Sequence, residues 1–193
     1  MQYRSSLFRP AAAATFAAVA IYASAVPARA DVLPPVSVEL GAQFLPQSNA
    51  RTGAGDTQLS VGANYDIWKV PLAPVKVSLR FDEANGGGQH GSTFNEYGFG
   101  VTGQLTTPLY AGAGFSVYNT SVGAVVPAPG ITSLNGGRFT SSSTALGEEF
   151  FVGDRVLSLP GGVNFALQAT YKDIPQYNGF NPSAVAVGLR VQL

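Results

Sequence analysis

The stretch "SAVAVGLRVQL" (183–193) places Val185, Val187, Leu189, Val191 and Leu193 at every second position, up to the last residue. Alternation with a period of two is the mark of a strand with one apolar and one polar face. A strand running to the end of a chain leaves an open row of backbone donors and acceptors unless another strand covers it. A sheet closed on itself, in which the last strand pairs with the first, removes that edge.

The same alternation recurs upstream. In "VSVELGAQF" (36–44), Val36, Val38, Leu40, Ala42 and Phe44 share a face opposite Ser37, Glu39, Gly41 and Gln43. "TQLSVGANYDIW" (57–68), "VKVSLRFD" (75–82), "EYGFGVTGQL" (96–105) and "LYAGAGFSVYN" (109–119) repeat the scheme. "ALGEEFFVG" (145–153) is a sixth segment whose inner face the adjacent Phe150 and Phe151 leave undecided. "GVNFALQATYK" (162–172) is the seventh and the closing stretch the eighth. Helical periodicity is missing from this part of the chain.

The connections alternate in length. The segments 45–56, 83–93, 120–144 and 173–182 are long and rich in Gly, Asn, Ser and Pro. Those between them, "KVPLAP", "TTP" and "DRVLSLPGG", are mostly shorter. Long loops at one end and short turns at the other is the layout of a bacterial outer-membrane barrel with both termini periplasmic.

Alternation alone does not say which face is wet. A soluble lipocalin-like carrier would turn the apolar face inward around a ligand and cover its exterior with charge. Here only 11% of residues are charged, against about 25% in ordinary soluble domains. The polar face is mostly Gly, Ser, Gln, Thr and Asn, which suits the crowded lumen of an eight-stranded barrel. The apolar face holds Val, Leu and Ala in mid-strand, with Tyr65, Phe81, Tyr97 and Tyr171 nearer the ends, where interfacial aromatic girdles belong. The expected fold is all-β: an eight-stranded antiparallel up-and-down transmembrane barrel with its apolar face outward.

The first 30 residues read as a cleaved signal peptide. Arg4 and Arg9 precede the apolar run 11–26, and Ala28-Arg29-Ala30 offers a cleavage site, with Ala23-Ser24-Ala25 as the second choice. Pro10 and Pro27 bound an apolar run shorter than the roughly 20 residues a spanning helix needs. The barrel domain is then 31–193. Loss of Arg4, Arg9 and Arg29 leaves eight basic residues against 11 acidic ones, a net charge of about −3 that does not suit a nucleic-acid binder. The absence of cysteine excludes a disulfide framework and thiolate metal sites.

The motifs "PLYAGAGFSVYNTSV" (108–122), "FALQATYKDI" (165–174) and "VAVGLRVQL" (185–193) resemble those of the small eight-stranded outer-membrane barrels, of the outer membrane protein A transmembrane domain and outer membrane protein X type. The resemblance spans 36–193. It implies a non-catalytic envelope role and a C-terminal assembly signal, Val185, Val187, Leu189, Val191 and Leu193, read by the barrel-insertion machinery. Leu193 stands where that family usually ends on an aromatic residue.

The lumen-facing charges are expected to be Glu39, Asp66, Lys76, Arg80, Asp82, Glu96, Lys172 and Arg190, four of each sign. With Leu193 opposite Val36, Arg190 falls opposite Glu39. Hairpin registers with Ile67 opposite Val75 and Leu79 opposite Tyr97 set Asp66 opposite Lys76 and Arg80 opposite Glu96. Such pairs compensate charge in a narrow lumen, and ion conduction is the competing role. His90, Ser92 and Glu96 have the residue types of a lipid-modifying barrel enzyme, but His90 lies in a glycine-rich loop and Glu96 belongs to the lumen pattern. No cofactor, metal or nucleic-acid partner is expected. The expected partners are outer-membrane lipid, the insertion machinery and a surface ligand of the loops, above all of residues 119–144 with "GITSLNGGRFTSSST", with the protein a monomer.

Overall fold

The computed structural model describes residues 36–47, 50–51, 54–70, 72–87, 92–125, 138–176 and 180–193. The expected signal segment and His90 lie outside the described residues. Eight strands follow one another: β1 (Val36–Phe44), β2 (Gln58–Lys69), β3 (Val75–Gly87), β4 (Thr93–Leu105), β5 (Leu109–Val125), β6 (Arg138–Ser158), β7 (Asn164–Asp173) and β8 (Ala184–Gln192). Each pairs antiparallel with its sequence neighbours, and β8 pairs with β1 to close the barrel. At the seam Val38 faces Val191 and Phe44 faces Val185, and the Leu193 amide donates to the Val36 carbonyl at 3.0 Å. No described helix is long and apolar enough to cross a membrane.

Several strands outrun their alternating cores. β3 continues to Gly87 and β4 begins at Thr93, so the connection read as 83–93 is mostly strand. β5 and β6 take in 120–125 and 138–144, which leaves 126–137 of that connection outside the described residues. Much of "DRVLSLPGG" is likewise strand, since β6 runs to Ser158. Polar Ser and Thr hide a two-residue period when both faces are polar, and backbone pairing carries the ladder on regardless.

The apolar face looks outward. Phe99, Phe115 and Leu146 are 59%, 60% and 62% exposed, whereas Glu96 and Glu149 on the other face are fully buried. Tyr65 and Trp68 ring the short-turn end, and Phe44, Tyr97 and Tyr171 the long-loop end. Phe81 falls at the middle of β3 beside Phe99, away from either rim. Near the short turns β2 and β6 each carry a β-bulge, after Asp66 and Arg155. Each bulge turns two successive apolar residues outward, Ile67 with Trp68 and Val156 with Leu157, all about half exposed.

Glycine on the inner face makes room for aromatic rings. Tyr110 lies across from Gly153, Phe151 from Gly112 and Tyr118 from Gly98. A Cβ on Gly98 would come within 2.6 Å of the Tyr118 ring, and one on Gly153 would overlap the Tyr110 ring. An eight-stranded lumen has no spare radius, so each inward ring needs a cross-strand partner without a side chain.

Candidate functional site: the charged lumen

Inward positions of all eight strands converge on a buried polar interior. Glu39, Lys76, Arg80, Asp82, Glu96, Lys172 and Arg190 are each at most 3% exposed, and the Asp66 side chain is nearly as buried. Glu149, fully buried, joins them as a fifth lumen carboxylate. It was hidden by the Phe150-Phe151 pair. The readable signal was parity: Gly147 and Gly153 share its face, as glycines share the polar face of the other strands.

The centre of the lumen is held by Arg80 and Lys172. Arg80 Nε lies 2.9 Å from Glu149 Oε2 and 3.7 Å from Asp82 Oδ2, and its Nη1 lies 3.4 Å from Glu39 Oε2. Lys172 Nζ contacts Asp82, lies 2.8 Å from Glu96 Oε1, and sits 5.4 Å from the centroid of the Tyr118 ring. Gln43 Nε2 donates to Glu96 Oε1 at 3.4 Å, and the Tyr118 hydroxyl to Glu149 Oε2 at 3.5 Å. Four carboxylates from β1, β3, β4 and β6 thus meet two cations from β3 and β7. Each of the four carboxylates lies against at least one of the two cations, the contact that makes a charge taken out of water tolerable.

The three expected cross-strand pairs come out differently. Arg190 does lie opposite Glu39. Its guanidinium nevertheless turns toward the short turns, donating to Ser37 Oγ (3.0 Å), Gln104 Oε1 (2.9 Å) and Gln168 Oε1 (3.1 Å). Gln168 links the two charges, since its Nε2 donates to Glu39 Oε2 at 2.8 Å. Asp66 is across from Ser78, displaced by the β2 bulge, and Lys76 reaches it diagonally at 2.9 Å while Ser78 Oγ donates to its other oxygen at 2.7 Å. Arg80 faces Gly100 and Glu96 faces Ala84, so the expected Arg80–Glu96 opposition is wrong by four residues. The longer strands move the centre of the β3–β4 turn and shift the register with it.

An apolar layer closes the lumen toward the long loops. Leu45, Ala50 and Ala54 from the β1–β2 connection pack with the inward Ala84, Phe94 and Ala184. Phe180 covers them from the β7–β8 connection, its ring centroid 6.1 Å from that of Phe94. Toward the short turns, Tyr110, Phe151 and Ala166 form a smaller apolar cluster beside a cavity of about 120 Å³. Ser92 is buried near the long-loop end, and Glu96, the acid of the enzyme-like set, is engaged by Lys172 and Gln43. The apolar positions of β8 lie on the exterior, with Val185, Val187 and Leu189 exposed and Val191 and Leu193 partly so.

No protein-family model matches the chain, and no curated relative matches it. Among solved structures it is similar to Neisserial surface protein A, at 17% identity and a TM-score of 0.49, over 82% of this chain and 96% of that one. It is also similar to the Yersinia pestis outer membrane protein Ail in a phospholipid bilayer nanodisc, at 10% identity and a TM-score of 0.48, over 83% of this chain and all of that one. The chain itself closes eight antiparallel strands into a barrel.

Proposed function

We propose that the protein is an outer-membrane barrel with a non-catalytic envelope role, its lumen shut by its own side chains. The observation that carries this reading is the inversion of the barrel: apolar residues outside, interlocking charges inside. A closed barrel satisfies every spanning backbone group without water, which is what lipid demands. A carrier of apolar ligands would need an apolar hollow where this lumen holds Arg80, Lys172 and their carboxylates.

The short turns and both termini lie in the periplasm and the long connections outside, in keeping with their lengths. The apolar layer from Leu45 to Phe180 then seals the outer mouth. The connection between β5 and β6, which includes "GITSLNGG" (130–137), is the place for an external ligand, because connections on a rigid scaffold are where recognition is free to vary. Val185 to Leu193 serve twice, as lipid contacts and as the segment read by the insertion machinery, and the barrel acts as a monomer.

Fractionation tests the reading. The mature chain is expected to begin at Asp31, to require detergent for extraction, and to migrate faster unboiled than boiled because the closed barrel resists unfolding. Recovery of the protein in the soluble periplasmic fraction would overturn it.

A further inference from the structure

The two ends of the lumen differ in charge. The cavity at the short-turn end is lined by four cations, Lys69, Lys76, Arg155 and Arg190, and one carboxylate, Asp66. Asp66 is already committed to Lys76 and Ser78. Among the described residues no carboxylate lies within 4.0 Å of Lys69, Arg155 or Arg190. Arg190 is 3% exposed, yet its donors meet only the neutral oxygens of Ser37, Gln104 and Gln168. Every other cation of the buried lumen touches a carboxylate. A buried guanidinium so placed leaves positive potential directed into the cavity, where low-dielectric walls focus it.

The bulges contribute to this arrangement. After the β2 bulge Lys69 comes opposite the inward Lys76, and Arg155, at the β6 bulge, stands opposite the inward Ala166. Two exposed cations at the rim thus share one cavity with two buried ones. About 120 Å³ is far more than the roughly 10–15 Å³ one water needs, and is room for a small polyatomic anion. Thr106 adds a hydroxyl donor at the mouth, whereas the Thr107 hydroxyl donates to the Leu109 carbonyl.

We propose that the short-turn end of the lumen is a binding site for a phosphate group, seated between Lys69, Lys76, Arg155 and Arg190. Arginine forks and lysine ammoniums are the groups that recognise phosphate, the first by paired hydrogen bonds and the second as a point charge. The phosphate belongs to a soluble phosphate ester or inorganic phosphate, or to a lipid headgroup, since Trp68 and Leu157 bring the lipid-facing surface close to the rim.

The test uses the whole mature barrel in alkyl maltoside micelles, titrated with inorganic phosphate against chloride at constant ionic strength, with amide chemical shifts at Thr106, Thr107 and Asn164 as the readout. Saturable shifts confined to this end are expected. The double variant Lys69→Gln, Arg155→Gln removes only exposed rim charges and should keep the fold, and it is expected to weaken binding about tenfold or more. Arg51→Gln, at the other end of the barrel, should bind as the unaltered protein does. Adding phosphatidylglycerol then separates the sources: a raised apparent Kd for phosphate assigns the site to lipid headgroups, and an unchanged Kd assigns it to a soluble phosphate. Non-saturating shifts, or equal binding by the double variant, would overturn the site. Neither result depends on where in the envelope the protein resides.

Discussion

The middle of the lumen and its short-turn end solve the same problem differently. In the middle, Arg80 and Lys172 touch carboxylates directly. At the short-turn end, Arg190 is held by a hydroxyl and two amide oxygens, and reaches Glu39 only through Gln168. Strand register alone would have made Glu39 and Arg190 the pair. Being opposite in a barrel fixes where two side chains start, and the space inside decides where their charged ends finish. Long side chains lean along the axis, so ion pairs form diagonally and across the lumen as readily as between facing residues.

That contrast sets the largest expected effect. Arg80→Leu strips Glu39, Asp82 and Glu149 of a shared cation, and should cost about 3–5 kcal/mol in urea unfolding of the refolded barrel. Arg190→Leu removes donors from neutral acceptors only, and should cost about 1–2 kcal/mol. A double-mutant cycle sharpens the point: coupling of Arg80 with Glu149 is expected near the top of the roughly 0.5–3 kcal/mol range for contacting residues, and that of Glu39 with Arg190 near the bottom. Equal losses for the two arginines would break the comparison.

A smaller effect is expected where glycine faces a ring. Gly153→Ala pushes a methyl group into the Tyr110 ring, which packs under Arg190 at 5.5 Å and donates to Gln168 at 3.0 Å. Overpacking there should cost about 1–3 kcal/mol. The companion change Tyr110→Ser with Gly153→Ala should relieve the part of the clash due to the ring, leaving the 2.8 Å approach to the Leu167 carbonyl, and failure to relieve any of it would show that the ring is not what fills the space. The smallest folded-state effect belongs to Leu193. Leu193→Asp should change the stability of refolded protein by about 0–1 kcal/mol, because a charge near the interface is cheap there. Its level in the outer membrane should nevertheless fall markedly by immunoblot, whereas Leu193→Phe should maintain or raise it. Normal levels of the Asp variant would remove the assembly role.

The barrel was legible because an apolar exterior and a polar lumen impose a two-residue period that eight segments display. Glu149 was not, because Phe150 faces outward while Phe151 fills the lumen over Gly112, and an inward aromatic erases the contrast between faces. Register was legible at the seam, where the chain ends pin Leu193 near Val36, and illegible in the β3–β4 hairpin, where Asn, Gly and Thr continue the ladder without apolar alternation. The apolar layer at the long-loop end escaped as well. Leu45, Ala50, Ala54 and Phe180 come from connections without periodicity, and only the closed barrel brings them together.

Planar-bilayer recording of the purified, refolded barrel bears most directly on a lumen filled by its own side chains. With Arg80 and Lys172 bound to four carboxylates and an apolar layer above them, no stable unit conductance is expected at neutral pH. A steady conductance of uniform size, present in the unaltered protein and reproducible across insertions, would contradict the closed lumen.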